Sequence, residues 1–125
     1  MGSVQGKVWG STQQVFGKAN VEVHRIEGIA GGYCSIHYHE HKFNLFFVES
    51  GVLELQEWTK GVGSDKPIDV TTLTAGSSHY IEPGIRHRFI VLKDCVVYEI
   101  YWTELSEDII RIKDGGKEER LNAER

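Results

Sequence analysis

Three histidines alternate in the stretch GGYCSIHYHEHKFNLFFVESG, residues 31–51: His37, His39 and His41, half of the six in the chain. Neutral imidazole is the commonest biological metal ligand. Residues two apart on a strand share a face. His37 and His39 therefore make a claw, and His41 joins them if the strand continues. A further ligand has to come from another strand. His87, in EPGIRHRF, is the candidate, because the Pro83-Gly84 turn lets the chain re-enter the sheet just ahead of it. Alternating histidines on an exposed edge strand can also bind nothing, so the elements around them decide.

Those elements read as strands almost throughout. NVEVHRIEGI and YCSIHYH alternate with period two. NLFFVESGVLELQEW places two apolar runs around Ser50-Gly51, a hairpin signal. KGVGSDKP, residues 60–67, has loop composition. IDVTTLTAG, HYIEPGIRHRFIVL and CVVYEIYWTEL are rich in β-branched and aromatic residues, with turns expected at Ala75-Gly76, Pro83-Gly84 and Lys93-Asp94. About eight to ten short strands at even spacing predict an all-β barrel or sandwich. Only the end reads as helical: Ser106 can cap EDIIRI, with acids in the first turn, before Asp114-Gly115-Gly116 stops it. Residues 1–113 are expected to form one domain and residues 114–125 a charged tail.

Composition narrows the partners. A chain of 125 residues, 40% hydrophobic, suits one globular domain. Its 14 glycines and 2 prolines favour many short elements and turns. A net charge of −4 with no basic stripe argues against nucleic acid and anionic membranes. Cys34 and Cys95 lie far apart and form no CxxC pair, so they are expected to be small buried residues. No apolar run approaches the ~20 residues of a membrane span. MGSVQGKVWG has no apolar core of a secretion signal, and Gly6 replaces the Ser or Thr of a myristoylation motif. A cytoplasmic location is the expectation.

The spacing also resembles a known family. Gly31, five residues, His37-Tyr38-His39, four residues, Asn44, six residues and Gly51 resemble the first cupin motif. Asn44 stands where that family usually has a ligand Glu. Gly76, Pro83, Gly84 and His87 resemble the second motif, with Pro-Gly shifted by one. The resemblance implies a single cupin barrel, a jelly roll or double-stranded β-helix, with a short C-terminal helical turn. More closely, VWG, VEVHRIEGIAGGYCSIHYHEHKFN, FVESGVLEL, IEPGIRHRF and TELSEDIIRIKDGG look like the C-terminal cupin domain of type II mannose-6-phosphate isomerases. His37 stands where that group often has Gln, and Lys42 where an Arg often precedes the acid. A guanylyltransferase domain, usually fused to that group, has no room in 125 residues.

The resulting expectation is one divalent ion held by His37, His39 and His87, with Asn44 as a weaker oxygen ligand. Three histidines with an open position suit Zn first. Ni, Fe or Mn are also compatible, since imidazole does not choose the metal alone. The leading function is a sugar or sugar-phosphate isomerase or epimerase, the ion acting as Lewis acid. His41, with Glu40 or Glu49, is the candidate base, and Lys42, Arg86 and Arg88 are candidate phosphate cations. Tyr98 or Trp102 is a candidate sugar-stacking ring. The alternatives are a non-catalytic metal- or sugar-binding module and a small non-haem iron dioxygenase. In the barrel, Tyr33 and Ser35 are expected inward with the first two histidines, Phe89 and Val91 with His87, and Val96, Tyr98, Ile100 and Trp102 on the late strand. The partner expected is a carbohydrate-like small molecule, and the resemblance adds a homodimer.

Overall fold

The computed structural model describes residues 2–58, 66–67, 69–104, 111–118 and 120. Seven strands carry it: β1 (Gln5–Lys7), β2 (Gly10–Lys18), β3 (Val21–Gly28), β4 (Phe43–Trp58), β5 (Asp69–Leu73), β6 (Ser78–Ile81) and β7 (Arg86–Trp102). All pairings are antiparallel, in the order β1-β2-β3-β7-β4-β5, with β6 pairing β4. The all-β reading holds among the described residues. The helical turn expected after Ser106 and most of the loop at residues 60–67 lie outside them. Residues 111–118 are exposed and carry no strand.

Two long strands organise the barrel. β4 and β7 pair from Phe43↔Trp102 to Trp58↔Arg86. β6 adds to the first half of β4 and β5 to the second, while β3 adds to the second half of β7. This overturns the hairpin expected at Ser50-Gly51. Gly51 has φ 85°, and a Cβ there would lie 2.2 Å from the carbonyl oxygen of Asp94. One left-handed residue against β7 makes a bulge that bends the strand without reversing it. Both halves of β4 then find the same partner. The turn expected at Lys93-Asp94 is likewise strand, paired through the bulge by Val52↔Lys93 and Ser50↔Val96. Turns at Ala75-Gly76 and Pro83-Gly84 are found where expected.

The core is one cluster inside the sheet. Ile26, Phe46, Val48, Leu53, Leu55, Leu73, Ile81, Phe89, Val91 and Val97 are buried, and both free cysteines, Cys34 and Cys95, lie with them. The odd-numbered side of β7 faces inward on both sides of the exposed stretch Leu92-Lys93-Asp94: His87, Phe89, Val91, Cys95 and Val97 are buried, while Tyr98 is only half-buried. The inward parity expected for Val96, Tyr98, Ile100 and Trp102 is therefore corrected to Cys95, Val97, Glu99 and Tyr101. A turn at Lys93-Asp94 would reset the inward count, and β7 runs through that point as one strand. No helix among the described residues is long and apolar enough to cross a membrane.

Candidate metal centre

YCSIHYH does not form a strand, although it alternates. It meets β7 through isolated bridges, Tyr33↔Ile90 and His37↔His87, and through single bonds such as the Cys34 amide to the Phe89 carbonyl at 3.2 Å. Free of the sheet, Tyr33 and Ser35 are exposed where they were expected inward, and Cys34 is buried between them. His37 is still fixed in place. Its amide donates to the His87 carbonyl at 3.1 Å, and the His87 amide donates back at 2.9 Å. The Gly84 amide donates to the His39 carbonyl at 2.7 Å, so the Pro83-Gly84 turn anchors the second histidine as well.

The three rings converge. Ligand-capable nitrogens of His37, His39 and His87 lie within 4.8 Å of one another. The ring centroids are 4.5 Å apart for His37–His87, 5.2 Å for His37–His39 and 5.7 Å for His39–His87. Nδ1 of His37 is 2.8 Å from the Ser35 carbonyl and Nδ1 of His87 is 2.9 Å from the Ile85 carbonyl. A carbonyl only accepts, so each Nδ1 carries the proton and each Nε2 keeps its lone pair. His87 is 1% exposed, and burial, reinforced by its two histidine neighbours, holds its pKa down to about 4. Burial lowers His39 in the same way, helped by the charges of His37 and Lys42. The His39 and His87 rings are therefore neutral at pH 7, as a metal ligand must be. Nε2 of His39 and of His87 are buried with no partner. A divalent cation fits this donor set.

Asn44 faces the interior from β4, fully buried, on the same face as Phe46, whose ring meets that of His87. Its Nδ2 donates to Glu99 Oε2 at 3.0 Å, and its Oδ1 is buried without a partner. Tyr101 donates to the same Glu99 oxygen at 2.7 Å, and its ring packs edge-on against His39 at 5.1 Å. Burial pushes Glu99 up to about 7, against the opposing hydrogen bonds from Tyr101 and Asn44. Glu99 and Tyr101, with Trp9, Thr12, Gln14 and His24, line a cavity of about 450 Å³. Neither Glu99 nor Tyr101 was expected from the sequence. Carrying the parity of His87 and Phe89 along β7 reaches both.

The other expected site residues fall elsewhere. After His39 the chain bends, so His41 does not follow the claw: its side chain is 85% exposed, 3.7 Å from the carboxylate of exposed Glu40. Lys42 pairs with Glu22 at 2.8 Å and stands 5.6 Å from the Tyr101 ring. Glu49 and Arg86 are exposed. Arg88 donates to Gln56 at 2.8 Å and stands over the Tyr33 ring. Trp102 is stacked on Phe43, with centroids 5.4 Å apart.

Fold and site together define a small antiparallel barrel with an inward histidine cluster. The chain belongs to the cupin family: the family model described as Cupin domain matches residues 25–101. No curated protein matches the sequence. Among solved structures, KdgF from Halomonas sp. aligns with a TM-score of 0.68 at 14% identity, over 82% of this chain and 89% of that one. Oxalate decarboxylase from Lactobacillus farciminis, in a formate complex, gives 0.68 at 16% identity; 82% of this chain spans 30% of that one. The cupin domain of Cnp3 from Schizosaccharomyces pombe gives 0.66 at 12% identity, over 82% and 69%. At these identities the likeness is one of fold.

Proposed function

We propose that this cupin holds one divalent cation, Zn first, through His37, His39 and His87, with Asn44 as an oxygen donor. We further propose that it uses this site on a carbohydrate-like small molecule as an isomerase or epimerase. One observation carries the metal reading. Among the described residues, the buried side-chain atoms without partners are His39 Nε2, Asn44 Oδ1 and His87 Nε2. His87 Nε2 and Asn44 Oδ1 are acceptors, and His39 Nε2 offers a lone pair in its Nδ1–H tautomer; the two nitrogens belong to the converging cluster, and Asn44 lies on the inner face of β4. Leaving each unpaired costs about 1–3 kcal/mol, and one cation offsets all three.

When bound, such an ion supplies Lewis-acid polarisation of a carbonyl or hydroxyl oxygen. The chain's own groups would orient the substrate. The cavity has an aromatic wall in Trp9 and polar groups in Thr12, Gln14, His24, Glu99 and Tyr101, which suits a hydroxyl-rich ligand. The isomerase reading itself comes from the sequence resemblance. A non-catalytic binding module is favoured by one observation: His41 and Glu40 are exposed away from the cluster. The homodimer is supported by the outer face of the β4–β7 ladder, where Leu45, Phe47, Ile100 and Tyr98 are only partly covered.

Metal analysis on protein purified without nickel resin tests the first claim, and less than about a tenth of an equivalent of any transition metal rejects it. Interconversion of mannose 6-phosphate and fructose 6-phosphate with added Zn²⁺, Ni²⁺ or Mn²⁺ tests the second. Metal binding without turnover favours the module. Light scattering on the purified protein tests the dimer.

A further inference from the structure

The geometry points to Glu99 as a positioning residue of the metal centre, acting through Asn44; this rests on the metal reading above. A primary amide in a buried site has two orientations, one leaving its oxygen free and one its NH₂, and only the oxygen can bind a cation. Glu99 chooses between them. Its Oε2 accepts from two donors, Tyr101 Oη at 2.7 Å and Asn44 Nδ2 at 3.0 Å. An oxygen receiving two donors carries no proton, so Nδ2 is held toward Glu99 and Oδ1 is left free. The outcome is the orphaned Oδ1 of a side chain that is 0% exposed. Tyr101 fixes the carboxylate in turn and also packs against His39, so one residue braces both. The carboxylate that Asn44 lacks is thus supplied one bond further back. Outer groups of this kind change metal affinity about 10–100-fold.

The test is a Co²⁺ titration of the metal-free protein, read by visible absorption and by chelator competition. E99L and N44A should each weaken Co²⁺ binding about tenfold or more, and the double variant no further, since both remove one donor. E99Q keeps an acceptor oxygen and should restore wild-type affinity and spectrum. Wild-type binding by E99L, or losses that multiply in the double variant, overturn the inference. Should E99L fail to fold, N44D decides. N44D sets two carboxyl groups against each other, and N44D with E99Q relieves this by offering an amide donor. The pair should bind Co²⁺ about tenfold more tightly than N44D alone, following the weight of outer-shell groups, and equal affinities overturn the inference. If wild type binds no Co²⁺, the metal reading itself fails. If wild type binds and E99L is indistinguishable from it, only the role of Glu99 fails.

Discussion

His37 and His87 hold one another by a reciprocal pair of backbone hydrogen bonds, 3.1 and 2.9 Å long, with their rings 4.5 Å apart. Each ring is also tied by Nδ1 to the carbonyl two residues before it, Ser35 or Ile85. Two imidazoles from opposite ends of the motif pair are thereby given one tautomer and one direction before any ion arrives.

Such a preset site should couple metal to stability. At a free metal concentration a hundred times Kd, the transition should reflect about 2.7 kcal/mol of added stability. Chelator should remove it, and differential scanning calorimetry would show the shift. H39A should abolish both metal binding and the chelator effect. A chelator-sensitive transition in H39A would contradict the ligand assignment.

Residues outside the cluster should behave differently. H41A and K42A should keep full metal stoichiometry by elemental analysis. K42A breaks a half-exposed pair with Glu22, worth at most about 1 kcal/mol, and removes the cation over the Tyr101 ring, but takes away no ligand atom. Loss of the ion in H41A would mean that the bend after His39 is not the working conformation.

The pH dependence of the metal-free protein should be nearly flat where two groups oppose each other. His87 is held down to about 4 from an ordinary 6.5, so the unfolded chain binds more protons in that window and stability falls as pH drops through it. Glu99 is raised to about 7 from an ordinary 4.5, so the folded chain binds more protons there and stability falls as pH rises through it. E99Q should expose a stability that rises with pH between about 5 and 6.5, and H87L one that falls. Urea midpoints measured across this range check both signs, and parallel profiles in the two variants would refute the opposition.

Two glycines with positive φ should differ in cost. G51A drives a methyl into the Asp94 carbonyl and should lose more than about 2 kcal/mol. At Gly31, φ is 92° but no atom lies within 4 Å of the added Cβ, so G31A should cost only about 1 kcal/mol of backbone strain. Chemical denaturation separates them.

Cys34 should be chemically silent. Burial pushes its thiol up to about 11, and the Phe89 amide donates to its sulfur at 3.2 Å. Maleimide or iodoacetamide at pH 8 should label it only after denaturation. Rapid labelling of the native protein would show that the segment around Tyr33 opens.

The histidine cluster was legible because HxH and PG-xx-H spacing survive any irregularity between them. The fold class was legible because β-branched runs recur between turn residues. What failed was orientation. YCSIHYH alternates but leaves the sheet, so its side chains follow bridges and turns, not parity. Ser50-Gly51 has hairpin chemistry, yet its close approach to Asp94 is made to the paired strand β7, distant in sequence, and has no local signature. Misreading Lys93-Asp94 as a turn hid Glu99, an acid whose neighbours, Asn44 and Tyr101, meet only after β4 and β7 pair.

That pairing also sets the order of assembly. His37 and His87 are separated by about fifty residues, and the β4–β7 ladder is itself a long-range pairing. Contacts of this kind form late and slowly. An unfolded chain offers an ion only the local HxH pair, so little of the binding energy exists before the barrel closes. In a zinc finger the ion templates the fold; here a bound ion would meet its third histidine only after β4 and β7 have paired. The expected order is therefore barrel first and ion second, with the ion adding stability to a site already formed.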